Sequence, residues 1–366
     1  MAFHRASFRP PFCPNPACDF HTNPRGWRYV GWGSYRRTCP RVRVVPRFRC
    51  SHCRRTFSRQ TFQTTYWLRR SELLATIFER LQAGSGLRQI ARSLGCSPTT
   101  VMTHAARLGR HCLLYLMAHR PQGSPQEPLV LDGFESFAFS QYYPLHLNLA
   151  VGAESHFVYA FTLSELRRKG RMTPGQKLRR QVEELRYGRP DPRAIELGMR
   201  ALVEMLVPRG QAAVLRSDEH RAYPRAFRAL VDRHLHHEVT SSKAARTVRN
   251  PLFPVNRQDL MLRHCGANHR RETIAFSKLH ASVLERMAMQ AVWMSFMKAF
   301  SEKHRDATPA MRLGLRPDRL GHRELLAGRL FPTRVSLPAL WHHYYERRVL
   351  TRRLPHSKPL QRTFSA

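Results

Sequence analysis

The chain has 366 residues, enough for about two or three domains with a sizeable core. Its 62 Lys+Arg against 25 Asp+Glu give a net charge of +37, which calls for a polyanionic partner, nucleic acid first. There is no apolar run of about 18 residues, and the opening "MAFHRASFRPPFCP" lacks the apolar stretch of a signal peptide. Membrane-spanning and secreted classes are set aside, and a soluble intracellular protein is expected. The basic residues are spread along the whole chain, so a long path across the partner is favoured over one basic arm.

The first elements are built on cysteines. "CPNPACDFH" holds Cys13 and Cys18, and "FRCSHCRRTFS" holds Cys50 and Cys53. The second pair is a C-x2-C knuckle, whose turn lets two thiolates converge on one tetrahedral ion. The first is a looser C-x4-C, for which His21 or Cys39 are alternative ligands. Strand-like pieces, "WRYVGW" and "RVRVV", lie between the pairs, so residues 1–66 read as a zinc ribbon. Four unrelated cysteines are the competing reading. So small a segment buries little, and structural Zn2+ would supply its folding energy.

From Ser71 the period turns helical, with Leu73, Leu74, Ile77, Phe78 and Leu81 on one face. In "LRQIARSLGCSPTTVMTHAARLG" Leu87, Ile90, Ala91 and Leu94 form a second apolar face. Gly95 makes the turn, and Ser97 with Pro98 starts the next helix. Val101, Ala105 and Leu108 face inward. Thr99, Thr100, Thr103, His104 and Arg107 are left outward, where a recognition helix meets the major groove. Residues 67–120 thus read as an all-α helix-turn-helix domain that contacts double-stranded DNA; a helical hairpin for dimerisation is the alternative. The polar, Pro-rich "PQGSPQEP" at 121–128 is read as a linker.

Beyond it, "LVLDGFESFAFS" is an apolar run carrying Asp132, and "LHLNLAVGAESHFVYAFT" reads as two further strands. A basic helical stretch near 165–192 follows, then "AAVLRSDEH" as a fourth strand ending at Asp218 and Glu219. "RAYPRAFRALVDR" is a helix and "HLHHEVTS" a fifth strand. Three strands, a helix, a strand, a helix and a strand give the order of an α/β ribonuclease-H-like domain, taken here over 129–310. In that order the first and fourth strands are neighbours, so Asp132 and Asp218 come together. Paired carboxylates repel unless a cation sits between them, and hard oxygen ligands suit Mg2+ or Mn2+. A third acid is needed to hold a second ion. Glu285, near the start of an apolar helix, is preferred to Glu272; Asp259 is the weaker third choice. Glu219 is expected to point away, into the start of the next helix.

The series "FRCSHCRRTFSRQT", helix-turn-helix, "LDGFESF", "LRSDEHRAY", "RRETIAFSKLHASVLERM" and "TPAMRLGL" resembles the DDE transposases of small bacterial insertion sequences, over nearly the whole chain. It is most similar to the compact group with an N-terminal zinc ribbon and a ribonuclease-H-like core. The resemblance implies two-metal nicking of DNA at the element ends and strand transfer into target DNA, with Asp132, Asp218 and Glu285 holding Mg2+ or Mn2+. It also implies a homodimer or higher oligomer on DNA, in the bacterial cytoplasm with the nucleoid. The stretch "RRKGRMTPGQKLRRQVEELRYGRP" is an added basic insertion. Residues 311–366 read as a basic C-terminal extension.

Other signals carry less. His234, His236 and His237 in "HLHHEV" invite a metal reading, but imidazoles beside a DNA path explain them. "WHHYYERR" at 341–348 is read as a cover for the core in preference to a base-stacking platform. Cys96, Cys112 and Cys265 are buried thiols. The rival to an enzyme is a non-catalytic DNA-binding protein derived from such a transposase.

Overall fold

The computed structural model describes residues 8–38 and 43–352. Strands β1 (Tyr29–Arg37), β2 (Arg43–Cys50) and β3 (Thr56–Ser58) form a small antiparallel sheet in that order. Phe48, Phe57, Phe62 and Trp27 fill its inner face, with Phe48 and Phe57 stacked at 5.7 Å. The ribbon does not close its own core. Phe331, from far along the chain, packs edge-on against Phe12 at 5.2 Å and is itself buried. The backbone N–H of Arg329 donates to the Phe62 carbonyl at 2.9 Å, and the Thr64 hydroxyl to the Leu326 carbonyl at 2.9 Å.

Three helices follow, α1 (Leu74–Gln82), α2 (Leu87–Ser93) and α3 (Pro98–His119). Gly95 turns the chain at φ +57°, a left-handed conformation that costs glycine nothing. The Ser97 hydroxyl caps α3 by accepting from the Thr99 N–H at 3.2 Å. The second half of α3, with Cys112, Leu113, Leu114 and Leu116, is buried on every side, the mark of a core helix.

The large sheet takes β4 (Leu129–Phe137), β5 (Pro144–Gly152) and β6 (Val158–Glu165) as an antiparallel meander. After α4 (Pro174–Tyr187) and α5 (Ala194–Glu204) come β7 (Ala212–Ser217), α6 (Ala222–Arg228) and β8 (His234–Val239). The strand order is β6-β5-β4-β7-β8, with β7 parallel to both β4 and β8. The first and fourth strands of this sheet are therefore neighbours, as the element order predicts. β5 is buried over nearly its whole length, which fits a central strand covered on both faces. α5 lies over β5 and β6, and α7 (Phe253–Cys265) crosses β4 and β5.

α8 (His280–Val292) joins the sheet to the helix-turn-helix by packing along α3. At the crossing, a Cβ on Gly109 would lie 2.5 Å from the Glu285 Cα and carbonyl oxygen, so only glycine admits this approach. One apolar cluster accordingly runs from Leu68 through β4–β7 to Tyr344. The 121–128 connection does not separate two cores. Its Glu127 is buried and accepts from the N–H groups of Glu154 (2.7 Å) and Ser155 (2.8 Å) and from the Tyr159 hydroxyl (2.9 Å).

Nor is the C-terminal part an appendage. After the short helices α9 (Pro309–Arg312) and α10 (His322–Leu325), α11 (Ala339–Tyr345) lies along β6, the sheet's edge. The Trp341 indole N–H donates to the Phe161 carbonyl at 3.0 Å, and the Tyr344 hydroxyl accepts from the Leu163 N–H at 3.1 Å. The Val158 N–H is met by the Ser295 hydroxyl at 3.0 Å. Side chains so occupy the edge groups that would otherwise invite another strand. α4 buries none of its residues. Its acids turn inward, Glu184 to Arg167 at 2.8 Å and Glu183 to the Tyr143 hydroxyl.

The α3–α8 contact gives the first prediction. Gly109→Ala should lower the stability of the full chain by about 1–3 kcal/mol, the cost of overpacking, measured by urea unfolding. An unchanged midpoint would show that the two helices are not in register at this point.

Candidate functional site

Parallel pairing of Leu129 with Leu215 and Val130 with Arg216 brings Asp132, on β4, level with Asp218, just past β7. Asp132 Oδ1 accepts from the Gly133 N–H at 2.7 Å and from the Tyr223 hydroxyl at 3.3 Å. Asp218 Oδ1 accepts from the His220 N–H at 2.9 Å. A third carboxyl enters from α7, where Asp259 shares a helix face with the buried Val255 and Leu262. Its Oδ1 is buried and has no hydrogen-bond partner, a costly state for a carboxyl that nothing satisfies. Burial, reinforced by the Asp218 charge against the pull of the Gly133 N–H, pushes Asp132 up to about 6. Burial, and then the charge of Asp132, pushes Asp259 up to about 8, although Arg263 and Arg246 oppose it. These acids feel one another, and divalent-cation chemistry suits them.

Glu285 stands elsewhere. It is buried against Gly109 and forms an ion pair with Arg347 at 3.1 Å. Burial raises its carboxyl pKa, while Arg347, Arg110 and Arg286 lower it. An acid among apolar neighbours was expected to need a cation; the cation is an arginine from a distant segment. Glu272 is exposed. The structure thus puts Asp259, not the preferred Glu285, in the field of Asp132. The signal was the acid on the buried face of "VNRQDLML".

The four expected cysteines do converge. The Sγ atoms of Cys13, Cys18, Cys50 and Cys53 all lie within 4.8 Å of one another. Among the described residues this is the one group of three or more metal-type donors so close. The Arg54 N–H closes the second knuckle on the Cys50 carbonyl at 3.1 Å, with Arg54 at φ +61°. Burial alone would raise the Cys50 thiol, but the Trp27 indole N–H, 3.2 Å from the sulfur, and the backbone N–H groups of Cys53 and His52 hold it down to about 6. Burial pushes the Cys13 thiol up, which a cation on its sulfur would reverse. Four converging thiols suit a structural Zn2+. His21 is no ligand here: its Nδ1 pairs with the Cys13 carbonyl at 2.8 Å and its Nε2 with the Thr333 hydroxyl at 2.7 Å. Cys39 lies outside the described residues.

On α3, Thr99 and Thr103 are exposed and Thr100 is half-buried. Two assignments are corrected. His104 is 1% exposed, with Nδ1 on the Thr100 carbonyl at 2.7 Å and Nε2 on the Arg70 carbonyl at 3.1 Å. Arg107 donates to the Thr64 carbonyl at 3.4 Å, and burial lowers it to about 10. The segment before α1 covers this face of α3, which helical period alone leaves open. Met102, 53% exposed, joins the threonines outside.

A helix-turn-helix domain family model matches residues 75–108, from α1 into the first half of α3. The chain contains a helix-turn-helix domain. Comparison with curated proteins finds no match. A solved structure of a simian T-cell lymphotropic virus intasome in complex with the PP2A regulatory subunit B56 gamma is similar at 12% identity, over 68% of this chain and 74% of that one. With a TM-score of 0.24 that likeness carries no weight. No helix among the described residues is long and apolar enough to cross a membrane.

Two of the three histidines on β8 are explained locally. His237 pairs with the Ser217 hydroxyl at 2.8 Å, and His236 is solvent-facing beside Glu238 at 3.8 Å. Glu219 accepts from the Ser242 N–H at 3.0 Å, pinning the loop after β8 instead of capping α6.

Two predictions follow from this geometry. The carboxyl of Asp259 titrates higher when folded, so it stabilises the metal-free chain at low pH, and that contribution is lost as pH rises through about 8. Asp259→Asn should therefore raise the Tm of chelator-treated protein at pH 9, with a gap that shrinks steadily toward pH 5. On α3, Thr103→Ala should weaken DNA binding by about 1 kcal/mol or more without changing Tm. His104→Ala should instead lower Tm, as a core histidine would.

Proposed function

We propose that the chain is a DDE-type DNA transposase, with a ribonuclease-H-like core that nicks DNA at the ends of an insertion sequence and joins the freed ends to target DNA. The observation carrying this reading is the meeting of Asp132, Asp218 and Asp259 in one electrostatic field, with a buried Asp259 oxygen that no protein donor satisfies. The strand order β6-β5-β4-β7-β8 with β4 parallel to β7 supports the same assignment. The three acids do not all come within 4.8 Å of one another.

Asp132, Asp218 and Asp259 would hold Mg2+ or Mn2+, and such ions activate a hydroxyl nucleophile and stabilise the charge on the attacked phosphate. The chain's own groups prepare the site. The Gly133 N–H and the Tyr223 hydroxyl fix one oxygen of Asp132, and the His220 N–H fixes one of Asp218. The exposed Arg246 lies in the field of both Asp132 and Asp259 and is placed to meet a phosphate oxygen. α3 presents Thr99, Thr100, Met102 and Thr103 to double-stranded terminal-repeat DNA. The ribbon, with the Zn2+ its four thiols would hold, adds the exposed Arg28 to the cationic surface. Two ends must be joined, so the working form is a dimer or larger, in the bacterial cytoplasm with the nucleoid.

The test is strand cleavage of terminal-repeat DNA with Mg2+ or Mn2+. Asp218→Ala and Asp259→Ala should each lower the nicking rate at least about a thousandfold while leaving DNA binding within a few-fold. Glu285→Gln should retain nicking within about tenfold. A wild-type chain that binds the ends and never nicks them with either ion would leave the non-catalytic DNA-binding protein as the reading.

A further inference from the structure

A polar chain is buried under α5, where a core of this kind normally excludes polar groups. His146 and Asn148 on β5, and Thr162 and Ser164 on β6, are all at most 4% exposed. The Thr162 hydroxyl donates to the Gly198 carbonyl at 2.8 Å, and the Ser164 hydroxyl to the Ala194 carbonyl at 2.7 Å. Each hydroxyl has one proton, so toward Asn148 both can only accept. Asn148 Nδ2 therefore donates to both, at 2.9 Å each, and its Oδ1 is left as an acceptor. His146 Nδ1 sits 2.8 Å from that oxygen and must carry the proton. The helix is pressed close on this network: a Cβ on Gly198 would lie 2.2 Å from the Ser164 hydroxyl oxygen.

The consequence lies at the other nitrogen. With the proton fixed on Nδ1, Nε2 of the neutral ring bears a lone pair. Nε2 has no hydrogen-bond partner among the described residues. The ring reaches from β5 across β4: a Cβ on Gly133 would fall 1.5 Å from His146 Cε1 and 1.8 Å from Nε2. Gly133 follows Asp132 directly, and its missing side chain is what admits the ring. β7 ends at Ser217, whose level on β4 is Leu131, so beyond that point β4 has an open edge. Asp218 and His220 lie there, with the His146 and His220 rings 6.4 Å apart and Asp218 within electrostatic reach of His146. Glu135, the register partner of His146 on β4, also faces His220.

We infer that His146 Nε2 is a nitrogen ligand for the cation held at Asp218, and that the site prefers Mn2+ to Mg2+ for that reason. The inference rests on the carboxylate reading above. Mg2+ keeps to oxygen ligands in near-ideal octahedral geometry; Mn2+ also favours carboxylate oxygen, but as a first-row transition ion it accepts one imidazole nitrogen among them more readily than Mg2+ does. A tautomer locked by three buried side chains is costly to build, and holding a lone pair at a fixed place is what such a lock achieves.

The test uses the zinc-loaded full chain with Mn2+ and reads electron spin echo modulation. Bound Mn2+ should show nitrogen modulation that changes when the histidines are labelled with 15N. The modulation should persist in His220→Gln and vanish in His146→Gln, which should also reduce the Mn2+ over Mg2+ binding preference about tenfold. Should His146→Gln fail to fold, modulation that persists in His220→Gln and is lost in Gly133→Ala, whose Cβ would fall 1.5 Å from His146 Cε1 and displace that ring, assigns the ligand to His146. Bound Mn2+ without nitrogen modulation, or modulation lost in His220→Gln, overturns the inference and leaves the carboxylate site intact. No Mn2+ binding outside the zinc site, with Asp218→Ala indistinguishable from wild type, overturns both.

Discussion

The close crossing of α3 and α8 governs how this chain is assembled. With no side chain at Gly109, the backbone of α8 comes against α3 at Glu285, and the acid is then sealed from water. Its charge is met by Arg347 at 3.1 Å, just past α11. One glycine so ties three sequence-distant pieces together: the helix-turn-helix, the sheet and the C-terminal segment. That segment runs on to the rest of the molecule, since Phe331 completes the ribbon's aromatic core and Trp341 and Tyr344 finish the β6 edge. A buried pair of this kind adds little net stability, but removing one partner is costly. Its value is in fixing which surfaces meet.

The few acids of this cationic chain can be sorted by what answers their charge. Glu127 is held by backbone N–H groups and a tyrosine hydroxyl. Glu285 has Arg347, and Glu184 has Arg167 and Arg180. Those are structural charges with protein counter-charges in contact. Asp132, Asp218 and Asp259 differ, because none forms an ion pair with a cationic side chain among the described residues. Burial and mutual repulsion raise two of them instead. A carboxyl left in that state marks a place where another cation is accommodated.

Much of this was legible in the sequence, and the failures have a common cause. The cysteine knuckles follow from local spacing, and the Asp132–Asp218 neighbourhood from an element order in which the fourth strand returns beside the first. Periodicity also placed Thr99 and Thr103 outside and Leu108 inside. What misled was every choice that depended on a partner from far along the chain. His104 and Arg107 look outward on a helical wheel, but residues 64–70 cover them. Glu285 looks orphaned until Arg347 is brought to it. Asp259, among polar neighbours on its helix, looks like a surface acid until β4 is placed beneath it. The same blindness made residues beyond 311 read as an extension.

A net charge of +37 repels a divalent cation from the protein as a whole. The range of the interaction limits that repulsion. Exposed charges are screened within about 8–10 Å at physiological salt, so an ion at the acidic cluster responds chiefly to its immediate surroundings. There it meets three carboxyls and the fixed hydrogen bonds to Asp132 and Asp218, against Arg246 and Arg263. Arg263 is turned away, over the Phe134 ring at 4.6 Å, with its Nη1 and Nη2 spent on the His269 and Glu135 carbonyls. The site therefore offers carboxyl oxygens inside a strongly positive molecule, and a cation that arrives there would draw the proton from Asp259, whose carboxyl titrates at about 8 without one. A nucleic acid is drawn to the general surface by its positive charge, while the site it passes over gathers the acids. That contrast is what lets a cation and a phosphate meet there.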